Sequence, residues 1–415
     1  MKKTTLAIAT LTTAVLLSAC GTATTQPEQP AQPSADLSVH MVTRSNHLGW
    51  QLVATAEAGE NAIVSPASAT TALAMLAPGV GPSATEALEQ VLGASPQDAV
   101  TTVETLIGQL ADHDGDPATF DIETPPAQPF LHLANNVVLD TRLQAQEGYL
   151  EALKRHFEAH PTYTDLSGEE GKAVLDEWVA HHTAGLIEHS AIETHEDLRL
   201  VLQNAVLFGA SWDQPFMPAG THEFTDADGD MSQVEIMSLD TEVRFAQLDG
   251  WSAIEVPYTT DFVSTFILPP PRLAELRIDP QTTTETITAL RELLDAAEPT
   301  STRIVLPVLD QSTKTELMPL LKDLGADILG DCGADPLAGI GPDLCVDQAV
   351  QQAVLNMDTA GTIAAAVTEI GVGITSAPEP PAQQFIAERP YLLTVTHVDS
   401  DWDIFQGVIR DLGQE

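Results

Sequence analysis

The sequence predicts a single large domain of the α+β class. Helical patterns dominate the earlier part of the chain, and strand patterns dominate the later part. The longest apolar strand segments are not adjacent in sequence, and no internal repeat divides the chain. With 415 residues, of which 43% are hydrophobic, the chain can bury a large core, and these patterns favour one domain over two.

Capping residues and periodicity locate the helices. The first helix is predicted over 36–56. Ser65 is a suitable N-cap for the second helix, and Pro66 suits its first turn. The body of that helix, 67–77, is almost entirely Ala, Leu, Met and Thr, so it should be buried on most sides. Further helices are predicted at 83–93, which starts with a capping box and closes at Gly93, and at 96–110, 144–158, 169–183, 282–297 and 314–324.

Apolar runs and alternating patterns locate the strands. The segment 199–208 is too continuously apolar to have a solvated face, so it is predicted to be fully buried. The segment 130–139 alternates first and then becomes apolar. Other strands are predicted near Phe245 and at 251–258, 262–268, 303–309, 345–357, 391–397 and 401–409. The last two form a terminal hairpin.

The N-terminus has the pattern of a bacterial lipoprotein leader. Two lysines precede an apolar run at 6–17, and Leu-Ser-Ala-Cys-Gly at 17–21 matches a lipobox. We therefore expect 1–19 to be a signal peptide, Cys20 to carry the lipid, and 20–35 to be a Thr/Gln/Pro-rich tether. The protein would then be anchored to a bacterial membrane, at the cell surface or in the periplasm. The alternatives are a plain secretory peptide with a chance cysteine and an uncleaved anchor.

The other two cysteines, Cys332 and Cys345, enclose a short loop rich in Gly, Asp and Pro. Outside the cytoplasm a disulfide is expected between them, and two unpaired buried thiols are the alternative. Neither cysteine has a second Cys or a His at ligand spacing, so a zinc site is not expected. The sequence suggests no metal and no other cofactor.

The charge balance limits the partners. The formal net charge is −43, and the acidic residues are dispersed rather than gathered in blocks. Nucleic acid, heparin-like polyanions and anionic membrane surfaces are therefore poor partners. No internal apolar run is long enough to span a bilayer. Membrane contact is expected only through the lipid on Cys20.

A segment near the C-terminus combines two patterns. From Thr362 to Ile374 the even-numbered positions are small and then β-branched, which is typical of a strand with one buried face. The chain continues into Ser-Ala-Pro-Glu-Pro-Pro at 376–381, which can neither extend a β-ladder nor pack as a core. This combination indicates a segment that is a loop in one state and a strand in another. The alternative is an ordinary hairpin strand followed by a surface loop.

Five collinear motifs between Asp36 and Leu412 resemble those of the serpin family. The first motif is the Ser-Pro-x-Ser helix start with Ser65 and Ser68, and the second is the central strand and its turn with Asn204 and Trp212. The third motif is the helix exit at Thr183, Gly185 and Ile187. The fourth is the reactive-loop hinge at Gly361, Thr362, Ala364, Ala365 and Ala366, and the fifth is the pair of C-terminal strands at 389–391 and 405–409. The resemblance places Ser65, Ser68, Asn204 and Trp212 in the shutter and breach, the regions where the main sheet of a serpin opens.

The resemblance implies a serpin-like domain over 36–415, with about nine helices, three β-sheets and an exposed reactive-centre loop at about 359–384. It implies a suicide-type inhibitor of serine proteases and not an enzyme. A target protease attacks the loop and forms a covalent acyl complex, and insertion of the cleaved loop into the main sheet traps it. We expect a monomer. The alternative is a non-inhibitory serpin-like surface binding module, whose loop is cut without insertion.

The family's loop spacing, counted from Gly361, puts the reactive bond at Thr375–Ser376, with Ile374 in the preceding subsite. No Lys or Arg lies between Thr359 and Glu388, so trypsin-like targets are not expected. The expected target is an elastase-like or subtilisin-like protease that accepts a small neutral residue. The loop is about four residues longer than in common members, which could move the bond by a few positions.

Two features depart from the family pattern, and one feature agrees with it. Thr359 and Ala360 stand where two acidic residues often precede the hinge glycine. Gln351 stands where a histidine usually lies beside the Ser-Pro-x-Ser cluster, which puts the local hydrogen bonding in doubt. The hinge itself keeps Thr362 and three alanines, whereas non-inhibitory members tend to carry bulky or charged residues there.

The sequence patterns that would indicate an enzyme are weak compared with the serpin motifs. None of the six lysines follows a serine at Ser-x-x-Lys spacing, and Gly209-Ala-Ser211 lacks the second glycine of a nucleophile elbow. Surface histidines are far commoner than a metal site built from His181, His182 and His189. Ser65 and Ser68 are interpreted as buried, hydrogen-bonded hydroxyls and not as nucleophiles.

Overall fold

The computed structural model describes residues 33–271, 277–362 and 381–413. The chain from Pro33 onward forms one compact unit. The predicted signal peptide and Cys20, the hinge alanines Ala364, Ala365 and Ala366, and the predicted reactive bond with its subsite, Ile374, Thr375 and Ser376, lie outside the described residues.

Eight α-helices lie within the described residues, where about nine helices were expected. They are α1 (Ala35–Val53), α2 (Pro66–Leu76), α3 (Thr85–Leu92), α4 (Pro96–Gln109), α5 (Glu147–Phe157), α6 (Glu169–His182), α7 (Pro280–Asp295) and α8 (Met318–Asp323). No helix in these parts of the chain has both the length and the apolar character needed to cross a membrane.

Sixteen strands lie within the described residues and form three sheets. The strands are β1 (Ala62–Val64), β2 (Phe130–Asp140), β3 (Pro161–Thr164), β4 (Leu200–Ser211), β5 (Met217–Thr225), β6 (Met231–Val243), β7 (Phe245–Leu248), β8 (Trp251–Pro257), β9 (Phe262–Leu268), β10 (Thr300–Pro307), β11 (Leu309–Glu316), β12 (Val350–Met357), β13 (Gly361–Thr362), β14 (Gln383–Ile386), β15 (Tyr391–His397) and β16 (Trp402–Ile409).

The main sheet has the strand order β11-β12-β13-β4-β2-β3. A second sheet has the order β1-β16-β15-β9-β8-β7, and a third has the order β14-β10-β6-β5. Helix α2 contacts β4 of the main sheet and β16 of the second sheet, which explains why nearly all of its residues are buried. Helix α6 packs on β2, β3 and β4.

The start of α2 shows how the sequence sets the frame for the main sheet. The Ser65 hydroxyl accepts a hydrogen bond from the Ser68 backbone N–H at 3.2 Å, and Pro66 begins the first turn. The capping serine satisfies one of the free N–H groups at the helix start, and the proline has no N–H to lose. Helix α2 therefore begins at a fixed residue, directly behind the strands that form the candidate site.

Most predicted elements are present with shifted ends, and four predictions were wrong in detail. The segment 199–208 was predicted to be fully buried, but in β4 every second residue from Leu200 to Val206 is only half-buried. The predicted capping box does not form, because Ala84 is the N-cap of α3 and no side chain caps that end, although Gly93 does end the helix with φ 73°. Lys314 lies in strand β11 and not in a helix, since α8 begins only at Met318. The strand predicted from Cys345 begins only at Val350.

The cysteines Cys332 and Cys345 are joined by the expected disulfide, with 4.7 Å between their Cα atoms. The bridged loop precedes β12 in the chain. A covalent link of this kind restricts the unfolded chain and so stabilises the folded loop.

Asp140, at the end of β2, fixes the segment that leads into α6. Its fully buried carboxylate accepts from the Arg142 guanidinium, at 2.9 Å from Nη2 to Oδ2, and from the Leu166 backbone N–H at 2.9 Å. The side-chain hydrogen bond from Arg142 is the main reason that the pKa of Asp140 is lowered to about 2, against the opposing effect of burial. The carboxylate therefore contributes stability above its ordinary pKa and loses it as the pH falls toward 2.

We expect Asp140→Asn to lower the free energy of unfolding by about 1–3 kcal/mol at pH 7, because Arg142 loses its charged partner. The deficit should shrink as the pH falls from 4 to 2, where the native carboxylate itself becomes protonated. Thermal unfolding at pH 7, 4 and 2 measures this, with Glu151→Gln on the exposed face of α5 as the control. An equal deficit at every pH would contradict the assignment.

Candidate functional site

The predicted hinge begins as a strand of the main sheet. Gly361 and Thr362 form β13, which lies between two central strands. On one side Thr362 pairs with Met357 of β12. On the other side Gly361 and Thr362 pair with Ser211 and Ala210 of β4. The first hinge residues are therefore already inserted between these strands.

A tight turn connects β12 to β13. The Asp358 carboxylate accepts hydrogen bonds from the backbone N–H groups of Ala360, at 2.8 Å, and Gly361, at 3.1 Å. The Asp358 N–H in turn donates to the Gly361 carbonyl at 2.9 Å. These bonds account for the polar backbone groups that a buried turn would otherwise leave unpaired.

The two residues that depart from the family pattern are held through their backbone. The Trp212 N–H donates to the Ala360 carbonyl at 3.0 Å, and the Phe216 N–H donates to the Thr359 carbonyl at 2.8 Å. Neither bond depends on the side chain. The turn therefore forms with Thr359 and Ala360 in place of the two acidic residues.

Gly361 is required by close backbone approach. A Cβ atom at this position would lie 2.1 Å from the Ala210 carbonyl oxygen, far inside van der Waals contact. That neighbour is backbone of the central strand β4 and cannot move aside cheaply. Any side chain at residue 361 would therefore displace the hinge from the sheet.

Thr362 is held by a buried tyrosine. Only 1% of Thr362 is exposed, and its hydroxyl is 2.5 Å from the hydroxyl of Tyr258, which also bonds Ser264 at 2.7 Å. Trp212 stacks on the Tyr258 ring with 4.5 Å between centroids, and its indole N–H donates to the Asp358 carbonyl at 2.9 Å. Burial is the main cause that raises the pKa of Tyr258, so its hydroxyl stays protonated and can donate.

Below β13 the two central strands are not paired with each other. Among the described residues, β12 pairs only with β11 and β13, and β4 pairs only with β13 and β2. We call the boundary between β12 and β4 the seam. A cavity of about 190 Å³ lies along it, with Leu200 and Leu202 on the β4 side, Val350 on the β12 side, and Leu73 of α2 beneath. Both disulfide cysteines also line this cavity.

The predicted shutter residues lie at the middle of the seam. Gln351 bonds both backbone groups of Ser65: its amide oxygen accepts from the Ser65 N–H at 2.8 Å, and its amide nitrogen donates to the Ser65 carbonyl at 2.8 Å. Asn204 donates to the Asn135 side chain at 2.7 Å. The Asn204 amide oxygen is buried with no hydrogen-bond partner among the described residues, and Asn204 and Gln351 both line a second cavity of about 60 Å³.

Residues 189–193, which we call the strap, bind the β12 side of the seam. The chain reaches the strap from α6, which packs on β2, β3 and β4, and then returns to β4. Gln352 accepts from the Ala191 N–H at 2.7 Å and donates to the His189 carbonyl at 3.0 Å. Gln348 bonds both backbone groups of Glu193, at 3.0 and 2.8 Å. The strap therefore crosses the seam.

The sequence located one part of this site and missed the other. Six residues that the motifs singled out lie along the seam or at its top: Gly361, Thr362, Ser65, Ser68, Asn204 and Trp212. The sequence did not predict the roles of Tyr258 and Asp358, nor those of the two glutamines that bind the strap, Gln348 and Gln352. The only signal for Tyr258 is its place at the end of a predicted strand, and a polar residue between apolar ones in β12 does not by itself indicate a partner.

The comparisons with known proteins agree with this architecture. The family model Serpin (serine protease inhibitor) matches residues 44–412, so the chain belongs to the serpin family. Serpin A3-6 of Bos taurus is 29% identical over 375 residues, which cover 87% of this chain and 85% of that protein. Iripin-2 of Ixodes ricinus is 26% identical over 380 residues, which cover 89% and 92%. Serpins are mostly protease inhibitors rather than catalysts.

Solved structures share the fold. Native tengpin, a thermophilic serpin, superposes with a TM-score of 0.76 at 21% identity, covering 90% of this chain and 94% of that chain. Thyroxine-binding globulin in complex with thyroxine superposes with a TM-score of 0.73 at 20% identity, covering 92% and 100%. The expected single serpin domain with three sheets is thereby confirmed.

We expect Gln352→Ala to loosen the strap, because the Ala191 N–H and the His189 carbonyl both lose their partner. Amide hydrogen exchange at Ala191 should accelerate roughly tenfold, which corresponds to about 1–2 kcal/mol for the lost bonds. Gln233→Ala, an exposed glutamine on β6, is the control. Unchanged exchange at Ala191 would show that the strap is held by other contacts.

Proposed function

We propose that this chain is a suicide-type inhibitor of serine proteases that traps the acyl-enzyme by inserting its cleaved reactive loop into the main sheet. One observation carries the proposal: the hinge is already a strand between β12 and β4, above a seam where these strands are not paired among the described residues. A cleaved loop that continues β13 downward would pair with both strands.

Three further features support insertion along this path. The seam is lined by leucines and contains cavities, so an inserted strand would bury apolar side chains. The Asn204 amide oxygen at the seam is an unused acceptor among the described residues. The sequence after Thr362 supplies three small alanines and then alternating β-branched residues, which suit a strand that enters between two others.

The proposed chemistry is acyl transfer at Thr375–Ser376. The protease serine attacks the Thr375 carbonyl carbon, an ester forms between serine and Thr375, and the amide bond breaks as Ser376 leaves with a protonated amine. Insertion of the freed loop then drags the bound protease away before water can hydrolyse the ester. Ile374 and Thr375 favour an elastase-like or subtilisin-like target that accepts small neutral residues.

We also propose where the inhibitor is located and which partners it has. Lipidation of Cys20 would hold a monomeric inhibitor at a bacterial cell surface or in the periplasm, where an extracellular protease meets the loop. The large negative charge disfavours nucleic acid, heparin-like polyanions and direct contact with anionic lipid. No cofactor takes part, and the protein forms its acyl complex once without turning over.

Incubation with a panel of serine proteases, followed by a denaturing gel, tests the mechanism. We expect a denaturant-resistant adduct with an elastase-like or subtilisin-like enzyme. Thr362→Arg should lower the adduct yield about tenfold or more, because the site that Thr362 occupies is 1% exposed and a charge there is costly to bury. Thr359→Arg is the matched control, since the Thr359 side chain is only half-buried and its known bond is made by the backbone carbonyl.

Clean cleavage of the wild type by every protease, with no adduct, would favour the alternative of a non-inhibitory binding module. Equal adduct yields from wild type and Thr362→Arg would show that trapping does not proceed through the seam.

The reactive bond is tested by changing its specificity. Thr375→Arg should convert the protein into a target of trypsin, with the first cut after residue 375 and a trypsin adduct that the wild type does not form. Mass spectrometry of the released C-terminal fragment measures the cut. Gln384→Arg, at an exposed position of β14, is the control and should yield no trypsin adduct. A first cut outside 374–377 would overturn the assignment.

A further inference from the structure

A pair of histidines fastens the C-terminal end of α6 to the main sheet. His182, the last residue of α6, lies with its Nδ1 atom 2.9 Å from Nε2 of His132 on β2. The two rings meet edge to edge in nearly parallel planes, with 5.2 Å between centroids and 10° between planes. Trp178, one helical turn earlier, also contacts the His182 ring, with 4.5 Å between centroids. We call this group, with Asp114, the histidine clasp.

Asp114 sets the tautomer of the clasp. Its carboxylate oxygen is 2.7 Å from Nδ1 of His132, so that nitrogen carries the proton and donates to the carboxylate. With both rings neutral, Nε2 of His132 accepts and Nδ1 of His182 donates. One added proton can be accommodated, because protonated His132 would donate to His182. A second added proton would place two N–H groups face to face and abolish the bond.

The surroundings of the clasp contain few competing charges. His181, next in α6, is 4.9 Å from the His182 ring and repels a second proton as His132 does. Strand β4 carries no charged side chain, and β2 carries only His132 and the distant Asp140, which pairs with Arg142. Asp116, beside the short helix that contacts α6, accepts from the Ala118 N–H.

Two other histidines, one in the strap and one shortly after it, respond to acid differently from the clasp. His189 lies 3.3 Å from Asp176 of α6, and His195 lies 2.7 Å from Asp347 near the start of β12. Protonation of either one creates an ion pair and tightens its contact. Acid would therefore favour these two contacts while it breaks the clasp.

We propose that the histidine clasp is an acid-sensitive fastening that holds the end of α6 on β2 at neutral pH and releases it in acid. Release would free α6 from the half of the main sheet on which it packs. If the chain traps proteases as proposed above, the seam would then open more readily in an acidic environment. This consequence rests on the proposed function, whereas the release of α6 does not.

The direction of the pH effect follows from the buried ring. Burial, followed by the charges of His132 and His181, lowers the pKa of His182 to about 4. A histidine whose pKa is lowered in the folded state favours folding while it is neutral, and this contribution is lost as the pH falls from 6.5 toward 4. The clasp should therefore be closed at pH 7 and open near pH 4.

Hydrogen exchange of the full chain tests the clasp without any protease. Between pH 7 and pH 4, protection factors of the amides at 178–183, corrected for the intrinsic rate, should fall by at least about tenfold, the effect of one pKa unit. In His182→Gln the side-chain amide can still donate to His132 but does not titrate. This variant should lose that pH dependence, and the control His160→Gln, at an exposed position, should keep it.

A second measurement covers the case in which a variant folds poorly. Ring-carbon NMR titration of the wild type should show that His182 takes up its proton only near pH 4, together with the loss of protection at 178–183. Protection that stays constant down to pH 4, or that falls equally in His182→Gln, would overturn the proposal. A chain that forms no protease adduct but releases α6 in acid would refute the proposed function and leave the clasp intact.

Discussion

The structure depends on the boundary between two central strands of the main sheet. Strands β12 and β4 are central in the main sheet, yet between them the described residues contribute only the two-residue strand β13. Central strands are normally satisfied on both edges, and a buried amide or carbonyl without a partner costs about 1–3 kcal/mol. In the proposed mechanism the segment that follows Thr362 in the sequence would add a strand at the seam. Two cavities, their leucine lining and the Asn204 amide oxygen, which has no partner among the described residues, all lie along this boundary.

The contacts that hold the seam in this arrangement are few and individually weak. Gln351 bonds the backbone of Ser65 from below, Gln352 and Gln348 bond the strap from above, and the histidine clasp fastens α6. A net contribution of about 1 kcal/mol for each hydrogen bond is small beside the stability of the domain. In the proposed mechanism the sheet would open along the seam while the cores of the second sheet and α2 remain packed. Weak restraints at the seam beside a rigid frame would suit such a rearrangement.

Sequence reasoning succeeded where the physical cause is local. The cap at Ser65 and the end of α3 at Gly93 depend on neighbours a few residues away, and both were predicted. The prediction that β4 is fully buried was wrong, because Leu200, Leu202 and Val206 are only half-buried. Tyr258 meets Thr362 across 104 residues, and Gln352 meets Ala191 across 161, so neither contact leaves a local pattern. Strand β11 was mistaken in part for a helix, because it lies at the edge of the main sheet and its polar residues give little apolar alternation.

The departure at Gln351 shows how a different residue can meet the same physical requirement. Its amide presents a donor and an acceptor together, and the Ser65 backbone uses both. A histidine in that place would lose its acceptor on protonation, whereas an amide keeps both groups at every pH. The contact between Gln351 and Ser65 is therefore insensitive to acid in this chain. Protonation instead acts at the edge of α6, where His132 and His182 are close enough to exclude a second proton. Response to pH is thus separated from the groups that align the strands.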